Sequence, residues 1–176
     1  MTFFKERLKN IKAFIFDVDG VLSLDTTPLD ENGDPMRTAN IKDGFAIRAA
    51  LKAGFKIGII TGANTERVKL RYSNLGVEHI YLNSFNKTEC LDDFTAKTGI
   101  AKDEILYMGD DLVDYSIMKE VGIATSPIDA VPEIKAISQY ISDKKGGKGC
   151  VRDVIEQVMR SQQKWFGQEI KDIKAD

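Results

Sequence analysis

The chain of 176 residues has very little cysteine, and its two cysteines, Cys90 and Cys150, lie far apart in the sequence. This usage suits a reducing compartment such as the cytoplasm better than a disulfide scaffold. No apolar run approaches the ~18 residues that a membrane-spanning helix needs, and residues 1–9 lack the apolar core of a signal peptide. We therefore expect a cytoplasmic location and no membrane partner.

The chain also lacks an excess of charge of one sign, since 25 Lys and Arg stand against 27 Asp and Glu, a net charge of −2. A nucleic-acid partner held by bulk electrostatics is thus not expected. With 43% hydrophobic and 30% charged residues, the composition is that of a globular protein. The length fits a single domain over residues 1–176, with little room for a separate substrate domain.

Short apolar segments recur along the chain and alternate with amphipathic helical patterns. Each segment has the length of a strand and is rich in Ile, Val, Phe or Tyr. This alternation predicts an α/β fold: a doubly wound, Rossmann-like parallel sheet with helices on both faces and all strand carboxyl ends along one edge. The predicted strands are residues 13–16, 56–60, 79–82, 105–108, 122–124 and 140–141.

Two segments depart from this alternation. Residues 22–38 are rich in turn-forming residues around Asp30-Glu31-Asn32-Gly33-Asp34, and we interpret them as a small β-hairpin flap inserted after the first strand. Residues 150–176 are predicted to form a C-terminal helix and tail, because Val154, Val158 and Trp165 belong to one long apolar stripe.

Two carboxylates, Asp17 and Asp19, directly follow the first predicted strand. At the carboxyl end of a parallel strand both can turn into one crevice, where their repulsion must be relieved by a cation or by a raised pKa. Oxygen ligands of this kind suit Mg²⁺. Taken alone, however, an Asp-x-Asp pair is more often a solvated turn.

A second acidic group, Asp110, Asp111 and Asp114, follows the strand predicted at 105–108. Acidic residues also cap helices and complement the helix dipole, so this motif alone leaves a structural and a metal-binding interpretation about equal.

Two further motifs follow other predicted strands. Thr61-Gly62 offers a hydroxyl and backbone N–H groups at the start of a helix, which is a common phosphate cradle and also a routine turn. Lys87 precedes another predicted helix, where a single lysine is usually only solvated. All four motifs nevertheless share one edge of the sheet, so a nucleophile, a metal site, a phosphate cradle and a cation converge there.

These four motifs, in this order, resemble those of the haloacid dehalogenase superfamily of phosphatases over roughly residues 11–159. The chain resembles more closely the members that act on 3-deoxy-D-manno-octulosonate 8-phosphate, a precursor in lipopolysaccharide synthesis. That closer resemblance rests on Asn40-Ile41-Lys42-Asp43-Gly44, Arg48, Arg71, and Gly146-Gly147-Lys148-Gly149 with Arg152.

The resemblance implies a Mg²⁺-dependent phosphatase that passes through an aspartyl-phosphate. Asp17 would be the nucleophile, and Asp19 would protonate the leaving oxygen and then activate water. Thr61 and Lys87 would hold the transferring phosphoryl oxygens. The implied Mg²⁺ ligands are Asp17, the backbone carbonyl of Asp19, and Asp110, with Asp111 and Asp114 as outer support.

The resemblance also implies which residues bind a small anionic sugar phosphate. They are Asp19, Asn40, Ile41, Lys42, Asp43, Gly44, Arg48, Gly62, Arg71, Lys87 and Arg152. Arginine suits bidentate binding of anions, although Arg48 and Arg71 would also suit a solvated helix face. Ala63 departs from the Arg or Gly that relatives often carry after Thr-Gly, which puts the sugar specificity in doubt but not the chemistry.

The resemblance finally implies a homotetramer, in which the flap at 22–38 stands in place of a cap domain and a neighbouring subunit shields each site. Residues 146–152 and the C-terminal tail are the candidates for that shield. A phosphoryl-transfer site needs control of water, so some element must close it.

Three other functions are weighed against this hypothesis. The same chemistry could act on a related nine-carbon sugar acid phosphate or on a broader set of metabolites. A signalling receiver domain also combines acidic residues, Mg²⁺, Thr and Lys, but its acceptor Asp comes midway along the chain, whereas Asp-x-Asp comes first here. A catalytically idle binding protein is disfavoured by the complete set of catalytic side chains.

Overall fold

The protein is described here from a computed structural model, which covers residues 2–166. Six parallel strands form one sheet in the order β3-β2-β1-β4-β5-β6. Every predicted strand is present within two residues of its expected bounds, and the four central strands are buried between two helical layers, whereas the two edge strands are only partly buried. The strands are β1 Ala13–Phe16, β2 Lys56–Ile60, β3 His79–Tyr81, β4 Ile105–Met108, β5 Ile123–Ser126 and β6 Tyr140–Ile141.

Helices connect successive strands and cover both faces of the sheet. Alternate residues of β1 show the two sides: Phe14 and Phe16 pack with the helices at 41–52, 66–74 and 150–161, whereas Ala13 and Ile15 pack with those at 87–98, 115–118 and 132–137. This confirms the predicted doubly wound fold. The α-helices are α1 Thr2–Arg7, α2 Ile41–Lys52, α3 Glu66–Asn74, α4 Lys87–Thr98, α5 Tyr115–Met118, α6 Pro132–Ile137 and α7 Cys150–Ser161.

The strand order reverses direction at β1, which lies between β2 and β4. In open α/β sheets, ligands bind in the crevice beyond the carboxyl ends of the strands at this reversal. Phe16 and Met108 are paired in the parallel register, so the residues that follow β1 and β4 emerge side by side. The topology therefore brings the two acidic motifs of the sequence to one crevice.

The segment at 22–38 forms a flap over this crevice, but it is less regular than the predicted hairpin. Leu29 and Pro35 form one isolated antiparallel bridge, and the flap contains no continuous strand. Pro28 and Pro35 have no backbone N–H to donate, which limits the ladder to that bridge. At the base of the flap, the Thr38 backbone N–H donates to the Ser23 hydroxyl at 2.8 Å.

The C-terminal helix α7 ends at Ser161, and the part of the predicted tail at 167–176 lies outside the described residues. Across residues 2–166, no helix is both long enough and apolar enough to cross a membrane.

Candidate active site

Asp17 is the first residue beyond β1, and its side chain is buried at the centre of the crevice. Its backbone N–H donates to the Met108 carbonyl across the sheet at 3.1 Å. Its carboxylate Oδ1 accepts from the Val18 backbone N–H at 2.7 Å and lies 3.0 Å from Lys87 Nζ. The carboxylate is thus held in one orientation beside a cation.

Lys87 is the first residue of α4, and only 4% of its side chain is exposed. Its ammonium donates to Asp114 Oδ1 at 2.6 Å and also contacts Asp17. Burial opposes its positive charge, but the two carboxylates outweigh burial, so the pKa of Lys87 lies above its ordinary value. Lys87 therefore remains a cation inside the crevice.

Asp114 is fully buried and shares its oxygens among several donors. Oδ1 accepts from Lys87 and from the Tyr107 hydroxyl at 2.6 Å, while Oδ2 accepts from the Asp110 backbone N–H at 3.0 Å. Burial, together with the Asp114 charge, raises the pKa of Tyr107 far above its ordinary value, so this phenol stays a donor. Sequence reasoning missed Tyr107, whose only signal was a hydroxyl within an apolar strand.

Asp110 follows β4 and packs against Gly20. A Cβ at position 20 would lie 2.0 Å from Asp110 Oδ2, and Gly20 also has a φ of +76°, so only glycine fits there. Burial first, and then the charges of Asp17 and Asp114, raise the pKa of Asp110 to about 8. Burial and the Asp114 charge likewise raise the pKa of Asp17 to about 7, against the opposing effect of Lys87.

The acidic cluster fits a hard divalent cation. Carboxylate oxygens of Asp17, Asp110 and Asp114 lie within 4.8 Å of one another. Asp114 is already occupied by its four donors, which leaves Asp17 and Asp110 as the carboxylates able to hold the ion. Burial first, and then the neighbouring carboxylates, raise the pKa of both groups although Lys87 opposes the shift, and a cation such as Mg²⁺ would stabilise their charged forms.

Thr61 lies just beyond β2 and is buried against the cleft. Its hydroxyl accepts from the Ala63 backbone N–H at 3.1 Å, and its backbone N–H donates to the Tyr81 carbonyl at 2.9 Å. Gly62, which follows it, lines the same cleft as Lys87. The strand ends therefore bring Thr61, Gly62 and Lys87 to one wall, as the motif order predicts.

Asp19 lies on the opposite wall, where 48% of its side chain is exposed. Its carboxylate is paired with the guanidinium of Arg37 from the flap: Nη2 donates to Oδ2 at 2.9 Å, and Nε lies 2.9 Å from Oδ1. Sequence reasoning missed Arg37, although it is the only basic residue in the flap at 22–38 and therefore carried a signal.

These residues surround a cleft of about 470 Å³. Asp17, Thr61 and Lys87 are its buried lining residues, whereas Asp19, which pairs with Arg37, is half-exposed. A second cavity of about 630 Å³ adjoins the cleft between the flap and α3. The complete lining of the cleft is Asp17, Asp19, Gly20, Asp25, Arg37, Thr61, Gly62, Ala63, Lys87, Asp110, Asp111 and Val113.

The segment from Asn40 to Gly44 lies outside the cleft lining. Asn40 caps α2, with its side-chain oxygen accepting from the Lys42 and Asp43 backbone N–H groups. Asp43 is buried and accepts from the Arg152 backbone N–H at 2.8 Å, and burial raises its pKa to about 6. Ile41 and Lys42 are exposed. This segment joins α2 to α7 in the single chain.

The three predicted arginines occupy different places. Arg71 lines the second cavity and passes over Gly44, where a Cβ would lie 2.8 Å from its Nη2. Arg48 contacts the Asn74 carbonyl on the α2–α3 surface, which the cleft does not reach. Arg152 pairs with Glu156 at 2.6 Å and also does not line the cleft.

Comparison with known proteins agrees with this geometry. A sequence profile described as haloacid dehalogenase-like hydrolase matches residues 72–155. The 3-deoxy-D-manno-octulosonate 8-phosphate phosphatases of Salmonella typhi and of Escherichia coli strain K12 are each 35% identical to the chain. Each alignment covers 158 residues, which is 90% of this chain and 84% of the relative.

Solved structures of similar proteins superimpose closely. The 3-deoxy-D-manno-octulosonate 8-phosphate phosphatase of Yersinia pestis has a TM-score of 0.89 at 31% identity, covering 93% of this chain and 88% of that chain. The corresponding enzyme of Moraxella catarrhalis, solved in complex with magnesium ion, phosphate ion and a KDO molecule, has a TM-score of 0.88 at 33% identity. It covers 93% of this chain and 94% of that chain.

Proposed function

The chain belongs to the haloacid dehalogenase-like hydrolases, in the family of 3-deoxy-D-manno-octulosonate 8-phosphate phosphatases, and from that premise we propose how it works. It is a Mg²⁺-dependent phosphatase that hydrolyses 3-deoxy-D-manno-octulosonate 8-phosphate to the free sugar acid and phosphate. The observation that carries the residue assignment is the buried Asp17 carboxylate, held 3.0 Å from Lys87 Nζ and within 4.8 Å of the Asp110 carboxylate.

The nucleophile is Asp17. Its carboxylate attacks phosphorus, a bond forms between aspartate oxygen and phosphorus, and the bond from phosphorus to the sugar oxygen breaks. Lys87 and Thr61 contact the phosphoryl oxygens and hold them while charge moves to the leaving group. Asp17, Asp110 and the Asp19 carbonyl would hold Mg²⁺, which would add positive charge at those oxygens.

The general acid and base is Asp19. Its carboxyl group gives a proton to the departing sugar oxygen, and the resulting carboxylate then takes a proton from the water that attacks the aspartyl-phosphate. Hydrolysis releases phosphate and returns Asp17 to its starting form. Asp19 suits this exchange because half of its side chain is exposed at the cleft wall, whereas Asp17 is buried.

Replacing Asp17 by Asn tests this assignment. The amide cannot act as the nucleophile, so phosphate release should fall by at least about 10⁴-fold. The fold should persist, because burial already favours the neutral form of this side chain. Asp103→Asn, an exposed position before β4 at the opposite edge of the sheet, is the matched control and should retain full activity.

Wild-type phosphate release by Asp17→Asn would contradict the mechanism. A screen over sugar phosphates, including a nine-carbon sugar acid phosphate, measures how narrow the substrate range is.

The assembly is proposed to be a homotetramer in which a neighbouring subunit shields each cleft. Four large apolar side chains support this, because they are exposed on the flap or beside the cleft. They are Leu29, Met36, Phe85 and Val113. Burying them between subunits would be favourable, since burial contributes about 25 cal/mol per Å² of apolar surface. A fully active monomer in a sedimentation experiment would contradict this assembly.

The proposed location is the cytoplasm. Cys90 and Cys150 are both free thiols, which suits a reducing compartment.

A further inference from the structure

The catalytic cleft and the second cavity meet at two residues. The cavity of about 630 Å³ lies between the flap and α3, and it shares with the cleft only Arg37 and Ala63. Ala63 contributes a single methyl group, so Arg37 is the only charged side chain at the junction. A ligand whose phosphate lies at Asp17 and whose other end enters the second cavity must therefore pass Arg37.

Arg37 is already arranged to hold a carboxylate. Its guanidinium makes two contacts of 2.9 Å with the two oxygens of Asp19, and only 15% of its side chain is exposed. Its Nη1 also donates to the Pro35 carbonyl at 3.2 Å, which ties the guanidinium to the flap. Of the two contacts with Asp19, only that of Nη2 is a hydrogen bond, and no described residue accepts a hydrogen bond from the buried Nε, so the guanidinium still has a donor to offer a second carboxylate.

Two further arginines, Arg67 and Arg71, add to the positive character of the adjoining cavity. Arg71 lines it, and no described residue accepts a hydrogen bond from its buried Nε. Three acidic residues also line this cavity, of which Asp30 already accepts from the Asn32 and Asp34 backbone N–H groups of its own turn. The other two are Asp34 and Glu66. An anionic group entering the cavity would thus meet Arg37 at the junction and Arg71 beyond it.

We propose that Arg37 is the specificity residue that binds the carboxylate of the substrate, exchanging Asp19 for it when the substrate enters. This inference rests on the proposed function. In an octulosonate 8-phosphate the carboxylate and the phosphate lie at opposite ends of the carbon chain, so the carboxylate reaches the second cavity when the phosphate is at Asp17. Asp19 is then released from Arg37 and can turn to the leaving oxygen.

The exchange makes the enzyme distinguish sugar acids from neutral sugars. A phosphate ester without a carboxylate leaves Arg37 paired with Asp19, so the acid is withheld from the leaving group. Specificity then arises from a change of partner and not only from an added contact.

The test compares two substrates on the same variants. Steady-state kcat and KM are measured for 3-deoxy-D-manno-octulosonate 8-phosphate and for arabinose 5-phosphate, which has no carboxylate. Arg37→Met should lower kcat/KM for the sugar acid by about 100-fold and raise it for arabinose 5-phosphate by about threefold or more, because Asp19 is no longer held by Arg37. Arg37→Lys, which keeps the charge but loses the planar group, should lose about tenfold on the sugar acid alone.

Arg160→Met is the matched control, because it removes the same charge from α7, where Arg160 pairs with Glu156. It should leave both substrates unchanged. Since each variant is measured on both substrates, a folding defect lowers both rates and leaves their ratio unaltered. An equal loss on both substrates, or no loss on either, would overturn the role of Arg37. A wild-type enzyme with no preference for the sugar acid would instead overturn the proposed function.

Discussion

The two walls of the cleft are built in opposite ways. On the sheet side, Lys87 and Asp114 are 4% and 0% exposed and share contacts with Tyr107 and Asp17. On the flap side, Asp19 is 48% exposed and is paired with a single residue, Arg37. The first wall belongs to the ends of strands and the start of a helix, whereas the second is a loop closed by one bridge.

This difference separates two requirements of the reaction. Phosphoryl transfer needs fixed charges around phosphorus, and a buried network with all its donors satisfied gives that rigidity. Release of the sugar and proton transfer need a carboxyl group that can change partners, and an exposed pair on a loop allows this. We therefore expect substitutions on the sheet side to affect stability and all substrates, and substitutions on the flap side to affect selected substrates.

Among the substitutions that test the difference between the two walls, Lys87→Met should have the largest effect on stability and activity. It leaves the carboxylates of Asp17 and Asp114 buried without their cation, so the free energy of unfolding of the metal-free protein should fall by about 3–5 kcal/mol. Phosphate release should fall by about 10²–10³-fold on every substrate if Lys87 holds the phosphoryl oxygens as proposed. Chemical denaturation and steady-state kinetics measure the two effects.

Lys102→Met is the control for the loss of an ion-paired lysine. Lys102 contacts Asp92 and Glu120, each at 2.6 Å, but these pairs are exposed to solvent. Its removal should cost less than about 1 kcal/mol and leave activity intact. If both lysine variants lost the same free energy of unfolding, the buried ion pairs of Lys87 would contribute no more to stability than the exposed ion pairs of Lys102.

The affinity for Mg²⁺ should rise with pH through the neutral range. The pKa values of Asp17 and Asp110 are raised to about 7 and about 8, so protons compete with the cation below these values. Between pH 6 and pH 8 the affinity should increase on the order of 100- to 1000-fold, and it should level off above about pH 9. Isothermal titration of the metal-free protein with Mg²⁺ measures this change.

The stability of the metal-free protein should change with pH in the opposite direction to the Mg²⁺ affinity, because Asp17 and Asp110 hold their protons more tightly in the folded state. The folded state keeps protons that the unfolded state, with ordinary pKa values near 4, releases. Stability should therefore fall as pH rises from about 4 to about 8. A Mg²⁺ affinity that did not change with pH would place the metal away from the sheet-side carboxylates.

The sheet and its acidic edge could be predicted from the sequence because their signals are local. Each strand is a short apolar run; Asp17 and Thr61 follow their runs directly, and Asp110 follows its run after one glycine. Parallel topology then places them together without further information. The predicted motifs lie together because each one follows a strand of the same parallel sheet.

The flap-side contact could not be predicted in this way. Arg37 reaches Asp19 because the loop returns through a contact between Ser23 and Thr38, and no periodic pattern specifies the path of such a loop. Arg48 is the opposite case, a residue that the resemblance predicted to bind substrate. In the single chain its guanidinium instead contacts the Asn74 carbonyl, away from the cleft. Tertiary contacts decided both positions.

Among the substitutions on the sheet side, Tyr107→Phe should have the smallest effect. It tests whether the sheet side and the flap side of the cleft act independently. It removes one hydroxyl that donates to Asp114 Oδ1 at 2.6 Å, while Lys87 and the backbone N–H groups still contact that carboxylate. Loss of a buried hydrogen bond to a charged group should cost about 1.5–3 kcal/mol. Phosphate release should fall by about tenfold or less, because the ammonium of Lys87 is then positioned less firmly. Since Tyr107 is buried in β4 and its hydroxyl donates to Asp114 on the sheet side, the loss should be equal for 3-deoxy-D-manno-octulosonate 8-phosphate and arabinose 5-phosphate. A loss confined to one of these substrates would show that the two walls are coupled and would break the comparison.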